Sequence, residues 1–185
     1  MQTMTSTAQY FSAIRQALDE VSPTAVEEFV ALLVEAAHTR QTIFLVGNGG
    51  SAATASHFAC DLAKGTRAGG QSLRVIALTD NVPLITAWAN DVAYEDVFAE
   101  QLRNLCGPGD LLIAISASGM SPNILRTAAV ARQVGARVAA LTGGGGVLGP
   151  AADIWLRTPA GCIEQVEDLH VILTHLVACQ VRERL

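Results

Sequence analysis

The chain has 185 residues, half of them hydrophobic and only 16% charged, with 16 glycines. Average globular usage is about 25% charged, so this composition excludes an intrinsically disordered chain, a coiled coil and a solvating acidic tail. A formal charge of -5 argues against a dedicated nucleic-acid binder, which shows a basic patch or stripe.

One domain spanning residues 1–185 is expected at this length. No stretch approaches the roughly 20 apolar residues of a membrane span; the longest runs, such as Leu111 to Ile115, have strand length. Met1 to Tyr10 carries no basic segment followed by an apolar one, so no secretory signal is expected and the cytoplasm is the expected location. Cys60, Cys106, Cys162 and Cys179 form no C-x-x-C pair and read as small hydrophobes. The apolar surplus points instead to subunit interfaces, which resemble a core cut in half.

In chain order, Tyr10, Phe11, Ile14 and Leu18 recur at three- and four-residue spacing and predict a helix. Ser22-Pro23 supplies an N-cap and a first-turn proline, and Phe29, Leu32, Leu33 and Ala36 carry a second helix to about Thr39. Residues 1–40 are thus a helical extension, assigned to oligomerisation. Unalternating apolar runs follow at Ile43 to Val46, Leu73 to Leu78, Leu111 to Ile115, Val138 to Leu141 and Ile154 to Leu156, the pattern of strands buried on both faces. Helical stretches separate them: Ser51 to Lys64, Val82 to about Cys106 with a break near Asn90-Asp91, Pro122 to Val134, and Ile163 to Leu185. The expected fold is α/β, a five-stranded parallel sheet in a three-layer doubly wound sandwich, closed by a long C-terminal helix. Gly143 to Gly146 marks a hinge or a close-approach loop.

Ligands of such sheets sit beyond the carboxyl ends of the strands. Gly47-Asn48-Gly49-Gly50-Ser51-Ala52 leads from the first strand into its helix; glycines let an anion approach the backbone, and free N–H groups with the helix dipole favour phosphate. The same glycines also suit a tight strand-to-helix turn. The match to G-x-G-x-x-A is weak, because Asp80 falls about ten residues late and beyond Thr79 for a ribose contact. A Walker loop is excluded, since no Gly-Lys-Ser/Thr follows. Ser116-Ala117-Ser118-Gly119-Met120-Ser121-Pro122 ends the middle strand. Ser121 with Pro122 marks an N-cap, but capping leaves Ser116 and Ser118 without a purpose. An array of phosphate oxygens would satisfy all three hydroxyls.

His57 and Asp61, four apart, share a helix face and suit a metal ligand pair or an acid/base couple. The last helix sets Glu164, Glu167, Asp168, His170 and His175 among apolar residues, a density foreign to simple core packing.

Taken with Ala89-Asn90-Asp91, Asn123 and the His170-x4-His175 helix, the two loops make the chain resemble the sugar isomerase (SIS) domain family over nearly its whole length, and within it the bacterial phosphoheptose isomerases. The resemblance implies an aldose–ketose isomerase acting on sedoheptulose 7-phosphate, a homotetramer, and a divalent ion, usually zinc. It implies metal ligands His57, Asp61, Glu167 and His175, with Asp61 as base and His175 as acid. Substrate would be bound by Asn48, Gly49, Gly50, Ser51, Asn90, Asp91, Ser116, Ala117, Ser118, Ser121 and Glu167. That branch carries Glu where this chain has Asp61 and Gln where it has Glu167. Residues 167 and 175 lie about 12 Å apart along an ideal helix and about 80° apart around it. They share one ion only if Glu167 reaches inward from the helix start or comes from a neighbouring subunit. A non-catalytic sugar-phosphate-binding or DnaA-binding type of regulator is the second implication of the family.

Overall fold

The strands stand in the order β2-β1-β3-β4-β5, all parallel, in a computed structural model that describes residues 6–65 and 73–185. They are β1 (Thr42–Val46), β2 (Arg74–Ala77), β3 (Leu111–Ser116), β4 (Arg137–Thr142) and β5 (Ile154–Arg157). Helices α1 (Thr7–Asp19) and α2 (Pro23–His38) precede the sheet, and α3 (Gly50–Gly65) links β1 to β2. After β2 come α4 (Val82–Asp91), a 3-10 turn (Tyr94–Asp96) and α5 (Ala99–Leu105). The remaining helices are α6 (Pro122–Gln133), α7 (Leu148–Ala151) and α8 (Ile163–Arg184). The three-layer sandwich is the architecture expected from the alternating apolar runs.

Two apolar cores fill the space between the layers. On one face α2, α3 and α8 cover Ile43, Leu45, Leu111, Ile113, Ala139 and Leu141. On the other, α5 and α6 cover Phe44, Val46, Leu112, Ala114, Val138 and Ala140. Strand side chains alternate between faces, so a strand covered on both sides has no polar positions, which is why β1 and β3 read as unbroken apolar runs. Phe29 of α2 stacks on Phe58 of α3 at 6.5 Å between ring centres, which fixes the helix that carries His57.

The edges depart from the sequence expectation. β2 exposes Arg74 and Ile76, and β5 leaves Ile154 and Trp155 half-buried. Among the described residues each edge strand has a neighbour on one side only, and α4, which follows β2, packs on the 3-10 turn and fully buries none of its own residues. The stretch expected as one helix with a break at Asn90-Asp91 is two helices separated by residues 92–98. Helix α1 lies outside the second layer, buries only Ala17, and is tied to α8 by the Tyr10 hydroxyl, which donates to Asp168 at 2.5 Å. That carboxylate holds the phenol proton and raises its pKa to about 12.

Candidate active site

The chain moves from β1 outward to β2 and then crosses to β3 on the other side of β1. The strand order therefore reverses between β1 and β3, and the loops after these two strands stand side by side at the crevice where such sheets bind ligands.

In the first loop each glycine has its own task. A Cβ on Gly47 would lie 2.4 Å from the Ser51 carbonyl oxygen, so the turn from strand to helix closes only around glycine. Gly49 has φ +52, a left-handed conformation that side chains resist. The tight-turn reading of this loop is correct for these two positions. It leaves the amino end of α3 open beside the second loop. Asn48 joins the loops: its Nδ2 donates to Asn123 Oδ1 at 2.9 Å, and Asn123 Nδ2 donates back to Asn48 Oδ1 at 2.8 Å. The Tyr94 hydroxyl donates to the same Asn48 oxygen at 3.0 Å. With its side chain thus engaged, Asn48 offers a ligand its backbone N–H.

The second loop partly satisfies itself. Ser116 Oγ accepts from the Gly119 N–H and Ser118 Oγ from the Met120 N–H, both at 3.2 Å. A hydroxyl that accepts still has its own proton to donate, so both remain able to bind an anion. Ser121 occupies the N-cap position without making the cap bond; its Oγ instead lies 3.4 Å from Ser116 Oγ. Gly143 to Gly146 is a close-approach loop: a Cβ on Gly119 would stand 2.6 Å from the Gly145 carbonyl oxygen, and one on Gly146 would stand 2.5 Å from Gly119. Beside it an open cavity of about 310 Å³ is bordered by Ala117, Ser118, Gly143, Cys162 and Val166.

Helices α3 and α8 run side by side in parallel. Gly50 meets Glu167, and seven and eight residues further on His57 meets His175. The two imidazoles place their Nε2 atoms 2.8 Å apart with ring planes at 69°. Asp61 Oδ2 lies 3.3 Å from His57 Nε2 and 3.6 Å from His175 Nε2. All three donors fall within 4.8 Å of one another. A tetrahedral ion with bonds of about 2.0–2.2 Å separates its donors by about 3.3–3.6 Å, so two imidazoles and one carboxylate oxygen fit a divalent ion once the imidazoles part slightly. The cluster is half exposed, and a groove of about 320 Å³ lined by Cys60, Lys64, Cys179 and Arg182 opens beside Asp61 and His175.

Glu167 stands apart from that cluster. Its carboxylate rests on Gly50, with Oε2 at 2.5 Å and Oε1 at 2.6 Å from where a Cβ would be. Eight helical residues separate it from His175, about 12 Å of rise. The structure brings three of the four expected ligands together and puts the fourth at the first loop. Ser51 is buried at the start of α3 and Ala117 is half-buried. Asn90 and Asp91 lie at the exposed end of α4, where Asn90 Nδ2 donates to Asp91 Oδ1 at 2.8 Å.

Sequence reasoning gave no role to three features. Asn123 was visible only as the end of a motif, and Tyr94 lay in the break after α4. Ser56 of α3 bonds Thr79 at 2.9 Å and Asp80 at 2.5 Å, which ties α3 to the end of β2 and explains Asp80 without a ribose. His170 is fully buried. Burial holds its pKa down to about 4, and the Thr142 backbone, which works in the opposite direction, reaches neither ring nitrogen with hydrogen-bond geometry.

Residues 9–143 match the model of the SIS domain family. The phosphoheptose isomerase of Aliarcobacter butzleri is 37% identical over 163 residues, 88% of this chain and 86% of that protein. That of Akkermansia muciniphila is 35% identical over 160 residues, 86% and 84% of the two chains. Among solved structures, a phosphoheptose isomerase from Francisella tularensis superposes with a TM-score of 0.88 at 29% identity, covering 95% of this chain and 94% of that one. With the fold, the two loops and these relatives in agreement, the chain belongs to the SIS domain family.

Proposed function

We propose that this protein is an aldose–ketose isomerase that interconverts sedoheptulose 7-phosphate and a D-glycero-heptose 7-phosphate. The observation that carries the reading is the spacing along α3. His57 follows Gly50 by seven residues, about 10 Å of helix, and an open seven-carbon chain with a terminal phosphate spans about 10 Å. Phosphate at the loops therefore brings the carbonyl end of the sugar to His57, Asp61 and His175. The relatives named phosphoheptose isomerase support the same substrate.

The phosphate is held by the backbone N–H groups of Asn48, Gly49 and Gly50 and by the hydroxyls of Ser51, Ser116, Ser118 and Ser121. Asp61 takes the proton from the carbon beside the carbonyl and returns it to the neighbouring carbon, through an enediol of the sugar. His175 moves the hydroxyl proton between O1 and O2. His57, Asp61 and His175 would hold a divalent ion, with zinc the first choice, which would supply a Lewis acid for the carbonyl oxygen. Asn90 and Asp91 contribute contacts to sugar hydroxyls, from a neighbouring copy in a homotetramer. Exposed apolar residues support that assembly: Val82 and Leu84 on α4, and Val171, Ile172 and Leu176 on α8.

The test is direct. Purified protein with added zinc is incubated with sedoheptulose 7-phosphate, and the aldose is followed by NMR. Binding of the sugar phosphate without any interconversion would sink the enzymatic reading.

A further inference from the structure

The 3-10 turn Tyr94–Asp96 stands between the first loop and α6, held by contacts on three sides. Val97 and Phe98, which follow it, are buried in the core under α5 and α6. Asp96 accepts from Arg126 of α6 at 2.9 Å. Tyr94 reaches the other way, and its hydroxyl donates to Asn48 Oδ1 at 3.0 Å. Its ring is 52% exposed, so packing of the ring does not account for its place; the hydroxyl is the part that finds a partner.

The direction of that bond is fixed by its neighbours. The Ile124 N–H donates to Asn123 Oδ1 at 3.0 Å, so this oxygen faces donors and Asn123 Nδ2 is left to donate elsewhere. Asn48 must therefore turn its Nδ2 to the Asn123 oxygen and its Oδ1 to the Asn123 amide nitrogen. Tyr94 meets an oxygen and commits its proton there. Both lone pairs of Asn48 Oδ1 are then in use, and the amide that spans the two loops cannot turn without breaking three hydrogen bonds.

We propose that Tyr94 is a positioning residue for phosphate, acting through Asn48. The inference rests on the reading of the loops after β1 and β3 as the cradle of the sugar's phosphate. Asn48 carries in its own backbone one of the N–H groups assigned to the anion, and Asn123 follows two residues after Ser121 of the other loop. A hydroxyl that immobilises the Asn48 amide keeps both sets of phosphate donors at one spacing. His57, Asp61 and His175 lie further along α3 and α8, so the effect belongs to binding and not to proton transfer.

The experiment titrates inorganic phosphate into the full chain as purified, followed by phosphorus NMR, for wild type, Tyr94→Phe, Asn123→Ala and the double variant, with divalent-metal content measured in parallel. Tyr94→Phe keeps the ring, so a role in packing alone predicts wild-type behaviour. Loss of the hydroxyl is expected to weaken phosphate about two- to tenfold, the worth of one neutral hydrogen bond, with metal content unchanged. With sedoheptulose 7-phosphate, KM rises by a similar factor while kcat stays within about twofold. In the Asn123→Ala background the Asn48 amide no longer joins the loops, so the further loss from Tyr94→Phe shrinks toward unity; groups that act as one network are not additive.

Wild-type phosphate affinity in Tyr94→Phe overturns the proposal, as does a loss equally large with and without Asn123. A fall in kcat at constant KM also overturns it, by placing the hydroxyl in the chemistry. A wild type that binds no phosphate removes the cradle and this inference with it. If the expected losses appear in a protein that turns over no heptose phosphate, the inference stands and the isomerase reading fails.

Discussion

His57 Nε2 and His175 Nε2, 118 residues apart in the chain, stand 2.8 Å from each other across the contact between α3 and α8. At that distance both nitrogens cannot carry protons facing one another, so at least one presents a lone pair toward the shared space. The Asp61 oxygen on the same side makes the space a receptor for positive charge.

Removal of any corner of that triangle is expected to empty it. His57→Ala and His175→Ala should each lower bound divalent metal to below about a tenth of the wild-type content, since losing even a group that only supports a metal ligand costs about 10- to 100-fold in affinity. Asp61→Asn is expected to lower kcat by about 10²- to 10⁴-fold, the range of general-base catalysis. Elemental analysis and turnover on the same preparations decide it; full activity in Asp61→Asn removes that carboxylate from the proton transfer.

Asn123→Ala should loosen the crevice without touching the cluster. It removes a buried side chain that exchanges two hydrogen bonds with Asn48 and leaves the Asn48 Nδ2 unmatched, while its Oδ1 still accepts from Tyr94, at a cost of about 1–3 kcal/mol. The expected signature is a lower Tm with a KM for sugar phosphate that rises more than kcat falls. An unchanged KM would show that the two loops hold their spacing without the asparagine pair.

The buried imidazole of His170 makes stability depend on acid. Its pKa in the folded chain, about 4, lies below the ordinary value near 6.5, so the unfolded chain binds the proton first. The stability linked to this group is therefore complete above about pH 6.5 and declines as the pH falls toward 4, by about 2 kcal/mol between pH 7 and pH 5. His170→Leu should lose that part of the decline. Urea unfolding of both proteins at the two pH values reads the difference, and parallel pH profiles would reject the assignment.

Helix α4 provides the test of assembly. Val82 is 61% and Leu84 36% exposed, on a helix that buries none of its residues fully. The double variant Val82→Glu, Leu84→Glu should keep its helical content and give a smaller species by light scattering at micromolar concentration. If wild type already has the mass of one chain, the homotetramer is wrong.

The sheet was legible because burial on both faces of a strand leaves no polar positions, so Ile43 to Val46 and Leu111 to Ile115 could be read as inner strands from composition alone. The edge strands were read as buried too, since nothing local says which strand lacks a neighbour or which helix will fail to cover it. In the loops, Gly47 and Gly49 showed that the chain must turn sharply there, and the serines after β3 showed that polar groups end an apolar strand. The reciprocal Asn48–Asn123 bond was not legible, because residues 75 apart meet only when β1 and β3 become neighbours. His57 and Asp61 were paired by helical spacing, a local rule. That His175 joins them while Glu167 does not was decided by the parallel contact of α3 with α8, which carries the 12 Å between positions 167 and 175 onto the matching distance between Gly50 and His57. The sequence by itself determined which chemical groups this protein has and which helix face or loop carries each; the tertiary structure alone decided that one carboxylate joins two imidazoles and the other rests on the amino end of α3.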